Sequence, residues 1–154
     1  MSISATTLAA IVRDVAASVH AAGASALVVV NGHGGNYVLG NVVQEASLGP
    51  LPLHLFPGEA DWMRARADAG LGTSMVGDMH AGELETSILL HAHPDLVRPH
   101  YERADHLADD RPHLLSRGLR AYTESGVVGR PSLASARKGR ELLASLVRSF
   151  GDYV

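Results

Sequence analysis

The sequence predicts an α/β fold with parallel strand pairing, and three observations carry that prediction. Ala26 to Val30 is a continuous, β-branched apolar run of the length of a buried strand, not of an independent helix. Segments of helical period flank it, and the order helix, strand, helix, strand, helix continues to about residue 69. With 154 residues, 46% of them apolar and 19% charged, the chain is long enough for a single core-bearing domain over residues 1–154 and too apolar to be disordered.

The elements follow in order. Ser4 can cap a helix running to about His20, because Leu8, Ile11, Val12, Val15 and Val19 recur at spacings of three and four. Gly23 stops it. After the strand at 26–30, three glycines in Asn31-Gly32-His33-Gly34-Gly35-Asn36 make a loop. A second helix starts near Asn36 and ends before Gly49-Pro50. Leu51 to Phe56 alternates as a short strand that Pro57 closes, and Glu59 to Ala69 reads as a helix with Trp62 in its core. Residues 70–77 form a loop. The next helix carries His80 to about His91, and Leu96-Val97 suggests a brief strand. Residues 100–113 are polar, with His100, His106 and His113 exposed. Leu114 to Tyr122 suits a short helix. Ser132 to Phe150 forms the last helix, with Leu142, Leu143, Leu146, Val147 and Phe150 on its apolar face.

Composition excludes several functions. A net charge of −3 and 5% aromatic residues give neither the basic field nor the stacking platforms that hold nucleic acid. No run approaches the roughly 18 apolar residues of a membrane span. The first 20 residues lack a basic leader, and Arg13 and Asp14 interrupt the apolar run, so a signal peptide is not expected. There is no cysteine, hence no disulfide, thiol nucleophile or cysteine-ligated metal, and a cytoplasmic protein is the expectation. Histidine stands out at nine residues, a weak pointer to metal or acid–base chemistry.

Two segments concentrate that chemistry. The Asn31–Asn36 loop lies at the carboxyl end of a buried strand, where open α/β sheets place ligands. There His33 can offer a ring nitrogen to a metal, Gly34 and Gly35 let a ligand approach the backbone, and Asn31 and Asn36 can orient it. The same residues also suit a tight turn with a solvated His33, and the sequence leaves both open. The second segment, Asp78-Met79-His80-Ala81-Gly82-Glu83-Leu84-Glu85, packs four ionisable groups ahead of an apolar run. Asp78 and Glu83 are explained by helix capping and the helix dipole. His80 is not, since a cation is disfavoured at a helix N-terminus; a neutral His80 is a candidate base or ligand. Glu85 lies one turn from Leu89 and is expected to be partly buried, hence paired or metal-bound.

The glycine loop after its strand, followed by His80-Ala81-Gly82-Glu83-Leu84-Glu85-Thr86-Ser87, resembles the creatininase family of metal hydrolases, and Gly126 to Arg140 is similar to that family's closing segment. The resemblance covers the family's C-terminal two thirds. It implies a three-layer α/β/α fold with a mostly parallel sheet, shortened at the N-terminus. It also implies hydrolysis of a C–N amide-type bond in a cyclic amide, formamide or small peptide-like amide at a site of divalent metal ions: zinc foremost, manganese or iron as alternatives. By motif, His33 would be a metal ligand, Glu85 a further ligand or its supporting partner, and His80 the acid–base residue. A homo-oligomer with a small-molecule amide substrate is the implied assembly. The departures matter. The family's N-terminal Glu-x-His pair and later Asp have no counterpart here, so the chain reads as starting partway through the domain. Creatininase proper also carries a glutamate where this chain has Gly35. The alternative is a non-catalytic, truncated member serving as an assembly or binding subunit.

Overall fold

A computed structural model describes residues 3–154. The chain divides into two compact units: the described residues up to Asp61 with Ser149–Val154, and Trp62–Arg148.

In the first unit, α1 (Ala5–Ala21) begins where Ser4 accepts the Thr7 N–H at 3.1 Å. Strand β1 (Leu27–Val30) follows, then α2 (Val38–Ala46) and β2 (Leu53–Phe56). The two strands pair in parallel, Leu27 against Leu53 through Val30 against Phe56. Alternation along the strands separates the faces. Leu27, Val29, Leu53 and Leu55 pack with Ala9 and Val12 of α1 and with Leu39 and Val42 of α2. On the other face, Phe56 meets Phe150 and Tyr153 edge-on, each with ring centroids 5.2 Å apart. The α/β class and parallel pairing are thus as expected, with two strands forming the sheet among the described residues.

The second unit is helical: α3 (Glu59–Ala69, from Trp62 onward), α4 (Glu83–Ala92), α5 (Leu114–Arg117) and α6 (Ala136–Phe150, up to Arg148), with short 3-10 turns between. Small residues permit close packing. A Cβ on Gly139 of α6 would lie 1.9 Å from the Ser87 carbonyl oxygen of α4, so only glycine lets these helices touch. Asp68 of α3 accepts bonds from Ser145 at 2.7 Å and Arg148 at 2.8 Å. These two bonds, Ser145 first, hold its carboxyl below the ordinary aspartate range.

Several expectations change. The helix expected from His80 begins at Glu83. Leu96-Val97 forms no strand, since Pro94–Leu96 closes a 3-10 turn. Residues 114–122 split at Gly118, whose φ of +71° breaks the helix. The last helix starts at Ala136 after a separate turn at Pro131–Leu133. Val147 points to solvent, 73% exposed, while Leu142 and Leu146 are buried. His106 is half-buried and exchanges backbone hydrogen bonds with Gly129. Among the described residues, no helix is long and apolar enough to cross a membrane.

Candidate functional site

In the first unit the glycine loop is held by its asparagines. Asn31 donates its backbone N–H to Phe56 at 2.7 Å, which extends the strand ladder by one residue. Its side-chain oxygen accepts the His33 N–H at 3.2 Å and the Asn36 amide at 3.0 Å. Asn36 closes the turn by donating to the His33 carbonyl at 3.2 Å. His33 therefore stands exposed at the tip of a pinned loop, just past the carboxyl end of β1. Its ring lies over Gly35: a Cβ there would come within 2.6 Å of Nε2. Gly34 is exposed at the same tip.

In the second unit, His80 sits in an irregular stretch ahead of α4. Its backbone is fixed on both sides, its N–H donating to Val128 at 3.0 Å and its carbonyl accepting from Val128 at 2.9 Å. Its Nδ1 lies 2.7 Å from the Gly126 carbonyl. A carbonyl only accepts, so Nδ1 carries the proton and, in the neutral ring, Nε2 keeps its lone pair. Ala81 follows with φ +51°, a left-handed conformation that costs an alanine roughly 1–2 kcal/mol. The surrounding bonds maintain it. Glu85 Oε2 accepts the Ala81 N–H at 2.5 Å, and Thr86 Oγ1 donates to the Ala81 carbonyl at 3.2 Å. Glu85 is exposed, contrary to the expectation of burial, and its neighbour Leu89 is exposed too.

The buried carboxylate is Glu83, two residues earlier and about 200° around the helix. It is 0% exposed and accepts bonds from Gly72 N–H, Thr73 N–H, Thr73 Oγ1 and the Lys138 ammonium. Burial pushes its carboxyl up, but the bonds from Lys138, Thr73 and Gly72 outweigh it, and the net displacement is below the usual glutamate range. Asp78 caps α4 by accepting the Glu83 N–H at 2.6 Å and the Leu84 N–H at 3.1 Å, and it pairs with Arg66 at 3.1 Å. A Cβ on Gly82 would lie 2.0 Å from Asp78 Oδ1, so glycine is what lets the cap close. Two buried ion pairs, Lys138–Glu83 and Arg66–Asp78, thus join at the first turn of α4 and set the loop carrying His80. In the sequence the helix dipole accounts for Glu83, and nothing near it points to Lys138 or Arg66. The available signal was the i, i+3, i+4 set Glu83, Thr86, Ser87, which forms the buried stripe of α4.

The structure therefore groups Asn31, His33, Gly35 and Asn36 in one unit, and His80 with Glu85 in the other. Among the described residues, no three His, Asp or Glu side chains converge as an ion-binding cluster. The imidazole of His33 and the carboxylate of Glu85 suit zinc or manganese in kind. They fall short in number, because a catalytic zinc takes three protein ligands. One oxygen of Glu85 is already engaged by Ala81. The donors present do not by themselves fit a complete metal centre, and no chemical step is derived through one.

Comparison with known proteins agrees with the fold. The sequence pattern of the creatininase (creatinine amidohydrolase) family matches residues 1–154. The mycofactocin precursor peptide peptidase of Mycobacterium ulcerans (strain Agy99) is 37% identical over 130 residues, covering 80% of this chain and 46% of that protein. The protein of the same name from Mycolicibacterium smegmatis (strain ATCC 700084 / mc(2)155) is 33% identical over 134 residues, covering 84% and 49%. The chain spans about half the length of these curated relatives. A crystal structure of creatinine amidohydrolase superposes with a TM-score of 0.77 at 24% identity, over 99% of this chain and 64% of that one. A structure described as creatininase Mn gives 0.71 at 23% identity over the same shares.

Proposed function

The chain belongs to the creatininase family, and from that premise we propose that it hydrolyses a C–N amide-type bond, with His80 as the residue that moves the proton. One observation carries the reading: His80, an exposed residue, is held by Val128 through its backbone and by Gly126 through Nδ1, which leaves Nε2 unengaged. A neutral imidazole so fixed takes a proton from the attacking water and returns it to the leaving nitrogen. The Gly126 carbonyl steadies the imidazolium that forms between those events. Glu85 acts on this geometry from behind, because its bond to the Ala81 N–H keeps the residue after His80 in its left-handed conformation. Asp78 occupies the first two N–H groups of α4, so these two are not donors to the developing oxyanion.

The substrate proposed is a cyclic amide, a formamide or a peptide-like amide. The peptidase names of the relatives at 33–37% identity favour the last. A divalent metal is part of the proposal, zinc first and manganese or iron next, with His33 as a ligand and Glu85 as a further carboxylate or its support. Its remaining ligands come from outside the described donors, from a second copy in a homo-oligomer or from a longer polypeptide. Such an ion, when bound, acidifies water and polarises the carbonyl. Elemental mass spectrometry on protein purified without a metal-affinity tag tests this part. Metal near stoichiometric with the chain, and lost in His33→Ala, is the expected result. Amide hydrolysis by protein free of metal overturns it.

The incomplete donor set favours one other reading, a non-catalytic assembly or binding subunit. It predicts no turnover by this chain with any added divalent metal.

A further inference from the structure

The unit Trp62–Arg148 holds an open polar cleft of 640 Å³ near the His80 loop. One wall carries Arg103 and His106, the other Arg120 and the turn Tyr122–Ser125. The walls are tied together by His106, whose Nε2 lies 2.7 Å from the Tyr122 carbonyl. That ring nitrogen must donate, so in the neutral ring Nδ1 is left as an acceptor. Charge is unevenly neutralised here. Asp105 lines the cleft, but its carboxylate is engaged by the Ser132 N–H at 2.9 Å, Ser132 Oγ at 2.6 Å and Arg130 at 3.4 Å. Burial pushes the Asp105 carboxyl up, yet the Ser132 and Arg130 bonds outweigh it and keep it ionised and occupied. Arg103 and Arg120 make no ion pair or side-chain hydrogen bond among the described residues, and Glu124 is the one other carboxylate on the lining. Two exposed arginines without a partner therefore line this open depression, with Glu124 as the one carboxylate there left unengaged among the described residues.

A short turn connects the cleft to the candidate site. Gly126, whose carbonyl accepts from His80, donates its own N–H to Thr123 Oγ1 at 3.2 Å, and Thr123 lines the cleft.

We infer that this cleft is a carboxylate subsite, in which Arg103 and Arg120 bind the carboxylate of an amide-containing, peptide-like molecule. Guanidinium groups suit this role because their planar forks match a carboxylate in two-point, charge-assisted bonds. The His106 Nδ1 lone pair can accept an amide N–H of the same ligand. That the carboxylate belongs to the molecule being hydrolysed rests on the function proposed above; the binding itself does not.

The test separates the two. Backbone amide NMR of the full chain is followed while N-acetyl-glycyl-glycine is titrated to millimolar concentration, with its C-terminal carboxamide as the matched neutral probe. The expected result is saturable shifts confined to residues 101–106 and 119–126 for the acid, and at least tenfold weaker binding of the carboxamide. Arg103→Ala and Arg120→Ala each weaken the acid about tenfold, the loss typical of one charge-assisted bond. Arg117→Ala, an arginine outside the cleft, changes nothing. Equal binding of acid and carboxamide, no shifts in these segments, or acid binding unchanged in the double arginine variant overturns the subsite. Acid-selective binding by a chain that hydrolyses no amide leaves the subsite standing and removes the proposed function. His80-dependent hydrolysis without acid selectivity does the reverse.

Discussion

Replacing Lys138 with methionine strips the cation from a carboxylate that water does not reach. Glu83 is 0% exposed and the Lys138 side chain 16%, so the pair is screened by little solvent. Removing one partner of a buried pair costs about 3–5 kcal/mol. Glu83 keeps its donors from Gly72 and Thr73, which places the expected loss near the lower end, about 3 kcal/mol. Glu83→Gln removes the charge but keeps an acceptor for those donors, and it leaves Lys138 bonded to the Leu133 carbonyl at 2.8 Å with partial access to water. Its cost is smaller, about 1–3 kcal/mol. The double variant has no unmatched charge and loses less than the sum, with a coupling of about 1–2 kcal/mol. Urea unfolding followed by the fluorescence of Trp62, the single tryptophan, reads all four corners of the cycle. The pH dependence has a definite sign. The folded carboxyl lies below its unfolded value of about 4.3. Its stabilisation is therefore present above that value and lost as pH falls through the folded one. In Lys138→Met the lowering partner is gone, so this acid loss shrinks. A coupling within about 0.5 kcal/mol of zero, or identical acid-unfolding profiles for wild type and Lys138→Met, refutes the pair as the anchor of α4.

Two further outcomes follow from the backbone. Gly139→Ala forces a methyl into the Ser87 carbonyl and must part α4 from α6, so thermal unfolding should show a loss of about 1–3 kcal/mol. Ala81→Gly removes the left-handed penalty and should be neutral or stabilising by up to about 1 kcal/mol, whereas Ala81→Val should cost more than about 1 kcal/mol in the same assay.

The elements with strong local signals were legible before any coordinates. Ser4 begins α1, the Ala26–Val30 run contains β1 (Leu27–Val30), and Glu59–Ala69 is a helix as its composition suggests. Legibility fails where distant partners decide. The stretch from Asp78 to Glu85 looks like one helix start, but Asp78 caps N–H groups five and six residues on, and the Val128 bridge draws His80 out of the helix. The choice between Glu83 and Glu85 as the buried carboxylate depends on which face of α4 meets α6. Contact through Gly139 favours a stripe of small polar residues, Thr86 and Ser87, over the leucines that a periodic reading turns inward. Glu83 is then affordable inside only because Lys138, 55 residues away, reaches it. His106 looks exposed in the sequence for the same reason: its partners, Tyr122 and Gly129, lie far along the chain. The loops that carry His33 and His80 were legible because residues near them in sequence, Asn31 and Gly82, shape them.

We propose above that His80 transfers the proton in amide hydrolysis. The direct measurement is amine release from N-formyl, cyclic and peptide amides by the full chain supplied with zinc or manganese, compared with His80→Gln. The expected result is turnover of at least one amide class and a loss of about 10²–10⁴-fold in His80→Gln, with urea unfolding unchanged. Hydrolysis at the same rate by wild type and His80→Gln would contradict it.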